Sequence, residues 1–208
     1  MFFRVKFKKQ YINAKNYFTG FTYCMNTKIN PFLNFKATFV SPCTVYKNKQ
    51  KDNPIEGSIV EIDIDSMKDK NAVKKTVDRW WNKDSFGYCV YRDIEKLKEG
   101  ELSREVGKVY AITLQQYAFD KLNNKQIIGL AEVTKTGEHA IELNFMQAEP
   151  VLKMFSNVGR SFIELLKNMD FVNEIKVKAT YFSANFYEKM GFEISDTNKL
   201  IYLWKKIK

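Results

Sequence analysis

Histidine is nearly absent. His139 is the only one in 208 residues, and the three cysteines, Cys24, Cys43 and Cys89, are scattered and odd in number. That combination points away from a structural zinc site, which needs several close sulfur or imidazole ligands, and away from a disulfide frame. Unpaired thiols fit the reducing cytoplasm. No apolar run approaches the ~18 residues of a membrane-spanning helix. The start, MFFRVKFKKQ, is too short and too broken by charge for a secretory signal. The chain also has no repeat and no low-complexity segment.

Acids are scarce at one end. Residues 1–58 hold ten basic residues against two acids, Asp52 and Glu56, so they carry +8 of the total charge of +10. Twelve aromatics, from Phe2 to Tyr46, are interleaved with those lysines. In FFRVKFKK and LNFKATF apolar and polar residues alternate, the period of a half-buried strand. KNKQKDNPIEGS, with Pro54 and Gly57, reads as a loop or linker. The expected organisation is therefore a small β-rich extension over 1–57 and a main domain over 58–208.

Within 58–208 the periods are clear. SIVEIDI, GKVYAITL, KQIIGLAEV, AIELNFMQA and EIKVKAT read as strands, with FEI and KLIYLWKK as a closing pair. NAVKKTVDRWWN, YCVYRDIEKLKEG, GRSFIELLKNM and SANFYEKMG read as helices. The order is β-α-α-β-β-β-α-β-α-β-β. The fold class is α+β, a mixed sheet flanked by helices.

This order, with FYEKMGF over Phe186–Phe192, resembles the GNAT family of acyl-CoA-dependent N-acetyltransferases. The resemblance covers about Ser58 to Lys208 and implies a mostly antiparallel central sheet. It implies acetyl-CoA as co-substrate and Tyr187 as the acid that protonates the departing thiolate. A phenol with a pKa near ~10 holds its proton at neutral pH. Tyr187 and Phe186 could equally pack the helix on the sheet.

Further matches carry the coenzyme site. MFSNVGRSFIELL is similar to the family's glycine loop, (Q/R)-x-x-G-x-(G/A), which opens a helix and grips a pyrophosphate with free backbone N–H groups. Met154 takes the Gln/Arg position, Asn157 the first glycine and Gly159 the last. Two of the three positions depart from the pattern, and Asn is a residue that tolerates a left-handed backbone. Val158, Arg160 and Ser161 complete the helix start. In LNFMQAEP the resemblance implies that backbone groups near Met146 and Ala148 pair with the pantetheine arm, as an added strand would. Thr180 stands where many members have an asparagine on the coenzyme, and Ser183 replaces a usual alanine. IIGLAEV matches a further strand of the family.

The attacking amine must also lose a proton. Glu142 lies where some members keep a catalytic glutamate, and Glu132 is a second candidate. Glu142 could equally be an exposed acid on a half-buried strand. His139 falls in an expected turn and reads as a surface residue. Trp80, Trp81, Tyr88 and Tyr117 either line an acceptor pocket or fill core.

Two functions follow. One is transfer of an acetyl group from acetyl-CoA to the amine of a small or macromolecular acceptor. The other is a non-catalytic protein on a degenerate scaffold of this kind, binding nucleic acid or an acidic partner through residues 1–57. C-terminal edge strands could join two copies as a homodimer.

Overall fold

The structure, a computed structural model, describes residues 36–47, 53–80, 92, 107–150 and 154–207. Among the described residues nine strands form one sheet in the order β6-β1-β2-β3-β4-β5-β7-β9-β8. They are β1 (Thr38–Lys47), β2 (Pro54–Ile62), β3 (Lys108–Thr113), β4 (Ile127–Lys135), β5 (Ala140–Ala148), β6 (Phe155–Ser156), β7 (Glu174–Lys178), β8 (Glu193–Asp196) and β9 (Ile201–Lys205). The helices are α1 (Met67–Arg79), α2 (Val158–Lys167) and α3 (Ala184–Lys189). The expected α+β class holds, and the order expected from 58 onward is seen where it is described, with the short β6 added. The expected helix over YCVYRDIEKLKEG lies outside the described residues apart from Arg92, which is helical.

Alternation of side chains builds two cores, one on each face. Ile141, Leu143 and Ile128 pack under Phe162, Ile163 and Leu166 of α2 and Tyr187 of α3. Val109, Ala111, Ile127 and Leu130 point the other way, under Val73, Val77 and Trp80 beside α1. Trp80 therefore fills core, whereas Tyr117 is exposed. Trp81 and Tyr88 lie outside the described residues. α1 starts at Met67, ahead of the expected NAVKKT run, because Ser66 caps it: Ser66 Oγ accepts from Asp69 N–H at 3.4 Å.

The linker reading of KNKQKDNPIEGS does not hold for residues 54–58. β2 begins at Pro54, opposite Tyr46 of β1. Proline is tolerated at the first residue of a strand, where a missing N–H costs least. Residues expected in the extension thus supply β1 to the same sheet. The other strand-like piece there, FFRVKFKK, lies outside the described residues. Among those described, no helix is long and apolar enough to cross a membrane.

Candidate functional site

All the long strand pairs but one are antiparallel. The exception is β5 with β7, which pair in parallel over Ala140↔Glu174 to Leu143↔Val177. On its other side β5 stays paired with β4 as far as Ala148. The ladder with β7 thus stops at Leu143, while the ladder with β4 runs on to Ala148.

A bulge marks the place where the strands part. Glu132 lies opposite Phe145 and Val133 opposite Leu143, which leaves Asn144 as an extra residue. An extra residue bends a strand and raises its twist. It also switches the faces. Ile141 and Leu143 belong to the α2 face and Phe145 to the α1 face, and Met146 and Ala148 return to the α2 face. The Asn144 amide is held by two bonds, donating to Glu132 Oε1 at 3.0 Å and to Thr134 Oγ1 at 2.6 Å.

The gap that results is a cleft of about 100 Å³ lined by Asn144, Met146, Lys178, Thr180, Phe186 and Tyr187, among others. Three of the sequence-predicted residues, Met146, Thr180 and Tyr187, thus come together. Gly159 adjoins them. A Cβ at that position would sit 3.2 Å from the Phe186 ring and 3.4 Å from the Met146 methyl. Glycine is what allows the start of α2 to approach the cleft so closely.

Tyr187 packs in a nest of rings, with Phe186 at 5.1 Å, Phe192 at 5.5 Å and Tyr202 at 6.3 Å between centroids. Burial pushes its phenol up to about 12, because a phenolate loses its hydration there. The group is a proton carrier at neutral pH. Gly191 ends α3 with φ of 76°, and its N–H donates to Glu188 O at 2.9 Å, as a helix-terminating glycine does.

The start of α2 behaves as the sequence leads one to expect of an asparagine. Asn157 adopts φ 72°, a left-handed backbone, and its Nδ2 donates to Thr44 O at 2.7 Å instead of capping the helix. The first bond closing the helix is Ser161 N–H to Asn157 O at 2.9 Å. The amides of Val158, Gly159 and Arg160 precede it and have no partner within the helix. Ser161 Oγ donates to Asn157 O at 3.0 Å, and Arg160 is exposed beside Glu164 at 3.8 Å. Met154 is half-buried just before β6, and Ala148 closes β5 opposite Gly129.

The two carboxylate candidates do not line the cleft. Glu142 alternates with Ile141 and Leu143, so it faces away from α2, half-buried and 3.5 Å from Lys176. Glu132 is fully buried on that same side, bonded to Asn144. His139 is exposed in its turn, with Nδ1 3.0 Å from Phe171 O. The one described cysteine, Cys43, is pushed up to about 11 by burial and stays a protonated, unreactive thiol. The cleft side thus carries Met146, Thr180 and Tyr187, and the opposite face carries Glu132 of β4 and Glu142 of β5.

No model of a known protein family matches the chain, and no curated protein matches it in sequence. Among solved structures it is similar to the N-acetyltransferase PseH of Campylobacter jejuni, at 16% identity and a TM-score of 0.46, over 73% of this chain and 99% of that one. It is similar to an acetyltransferase from Streptococcus agalactiae, at 14% identity and a TM-score of 0.47, over 72% and 98%. A third likeness is to the NatC complex bound to Gag peptide and CoA, at 15% identity and a TM-score of 0.47, over 73% and 99%. These likenesses concern the fold alone. Likeness this distant assigns no substrate and no residue role to this chain.

Sequence reasoning missed Asn144, Phe186 and Lys178 as cleft residues, and the clasp between α1 and the end of β5. In that clasp Arg79 pairs with Glu149 and donates to Ile127 O at 2.8 Å. A larger hollow, about 740 Å³, lies between α1 and the loop at 120–124, beside Lys68, Lys75 and Lys121. Its lysines and amides offer donors to an anion, whereas the cleft between β5 and β7 joins the parting strands, the start of α2 and a phenol.

Proposed function

We propose that the protein is an N-acetyltransferase that moves an acetyl group from acetyl-CoA to a primary amine by direct attack. The observation that carries this reading is the parting of β5 from β7 beside the start of α2. A pantetheine arm offers amide groups that would pair with backbone near Met146 and Ala148, past the end of the β5–β7 ladder at Leu143. The diphosphate would meet the free amides of Val158, Gly159 and Arg160, where the helix dipole also favours negative charge. Met154, Asn157 and Ser161 shape that turn, and Thr180 borders the arm from the β7 side.

In the reaction the amine nitrogen attacks the thioester carbonyl carbon, the C–S bond breaks, and the electron pair leaves on sulfur. Tyr187 gives its proton to that sulfur, so that free CoA thiol leaves. The nitrogen loses its proton to water, since Glu142 and Glu132, the acids expected for this step, do not line the cleft. Holding the two reactants together supplies much of the rate, since no covalent enzyme intermediate is needed. Small amines and macromolecular amines both remain acceptors of this chemistry.

A second reading has its own observation. Phe186 and Met146 close against Gly159 and narrow the cleft, as they would in a non-catalytic protein that binds nucleic acid or an acidic partner through residues 1–57. Calorimetric titration with acetyl-CoA separates the two. Saturable binding, with release of CoA thiol when amines are supplied, supports the transferase. A folded sample that ignores millimolar acetyl-CoA removes it.

A further inference from the structure

The turn between β7 and α3 carries a feature that packing does not account for. Tyr181 and Phe182 are 81% and 95% exposed, with their rings edge to face, centroids 5.9 Å apart and planes at 82°. Single exposed aromatics are ordinary, but two adjacent rings in water form a patch that costs solvation and attracts partners. The turn holds them there. Thr180 N–H donates to Ser183 Oγ at 2.9 Å, Ser183 Oγ donates back to Thr180 O at 3.1 Å, and Ser183 N–H donates to Thr180 O at 3.0 Å. A turn closed at both ends by its own hydroxyl keeps the rings out.

Position says what would cover them. Thr180 and Ser183, which flank the pair, both line the cleft. β5 and β7 run in parallel, so the C-terminal end of β7 lies at the same end of the sheet as the C-terminal end of β5, where Gly159 of α2 adjoins Met146 and Phe186. A ligand with its thioester end in the cleft and its diphosphate at α2 carries its nucleoside out at that end. A purine offers a flat π face, which is what an exposed aromatic pair accepts.

We propose that Tyr181 and Phe182 form a stacking platform for the purine end of a nucleotide-bearing acyl carrier, so that the protein selects CoA thioesters over carriers that end at phosphopantetheine. The assignment rests on the acyltransferase reading. The two are separable because the platform concerns only one end of the ligand.

The test is calorimetric titration of the full chain with CoA and with 4′-phosphopantetheine, which lacks the nucleotide. The wild-type protein should bind CoA the more tightly. The double variant Tyr181→Ala/Phe182→Ala should lose about ten-fold in CoA affinity, the scale of one stacked base, and keep its affinity for phosphopantetheine. Phe182→Trp, which retains a flat ring, should bind CoA as the wild type does. Both residues are exposed, so an unchanged melting curve is expected and confirms that each variant folds. Equal CoA affinity in the double variant and the wild type overturns the platform while leaving the transferase reading in place. Equal loss for both ligands also overturns it, since the turn would then act on the pantetheine arm. Binding of a short oligoadenylate that depends on the pair, with CoA affinity unaffected, reassigns the rings to nucleic acid and overturns the proposal. A wild-type protein that binds neither small ligand removes the transferase reading, and the platform with it.

Discussion

The two sides of β5 could hardly differ more. Towards β4 it is paired from Ile141 to Ala148, with one bulge. Towards β7 it is paired only from Ala140 to Leu143. The first side holds the sheet together and the second opens it. Where a central strand leaves one neighbour half-way the sheet splays, and here the splay is the cleft beside Thr180 and Tyr187.

The sharpest way to break the contrast is to remove chemistry from the open side alone. Tyr187→Phe keeps the ring nest and should lower turnover about a hundred-fold or more, the scale of a lost general acid, with CoA affinity unchanged. Steady-state rates beside calorimetry would check it. A variant as active as wild type takes the acid role from Tyr187.

Next comes the closed side. A Cβ on Gly129 of β4 would lie 2.5 Å from Val158 and 3.0 Å from the Phe162 ring. Gly129→Ala should therefore destabilise by about 1–3 kcal/mol, the cost of overpacking, measured by urea denaturation. Asn157 tests the hinge between the sides. Asn157→Ala should cost about 1–2 kcal/mol, through a left-handed backbone without glycine and a lost bond to Thr44. Asn157→Gly relieves the first of these and should cost less, which a paired denaturation series would read.

The smallest effect is expected far from β5. Asp69 is buried at the start of α1, with Asp63 beside it, and its carboxyl is raised to about 6, first by burial and also by the Asp63 charge. A raised carboxyl binds its proton more tightly in the folded state. That contribution is full below about pH 4, the unfolded value, and is lost as pH rises through about 6. Asp69→Asn should flatten stability against pH across that window and leave CoA binding alone. Denaturation at several pH values, with no difference in slope, would remove the claim.

Much of the sheet is legible because its strands alternate cleanly. AIELNFMQA is a strand over the very residues expected, and FYEKMGF ends in a positive-φ glycine as its pattern implies. The bulge is less legible, yet it leaves a trace. Apolar residues at 141, 143 and 145 give way to 146 and 148, so adjacent Phe145 and Met146 record the change of face. The acids were harder. Strand periodicity already turns Glu142 to the face away from Ile141 and Leu143, but it does not show that the cleft opens on the α2 side. The role of β1 was hidden by a polar stretch whose Pro54 reads as punctuation and is in fact the first residue of a strand. The parallel pairing that opens the cleft depends on residues far apart in sequence, and no local pattern encodes it.

β6 is only two residues long, yet it joins distant parts of the chain. Phe155 and Ser156 pair with Lys47 and Tyr46, and Asn157 reaches Thr44. The loop that would grip a diphosphate is thus stitched to the strand nearest the lysine-rich end. Trimming the chain at residue 50 would not peel off a dispensable basic tail. It would also unpick the seam that holds the front of α2, so any effect on nucleic-acid binding could not be told from an effect on acetyl-CoA binding. A cut placed before Lys36 keeps that seam and lets the two be told apart.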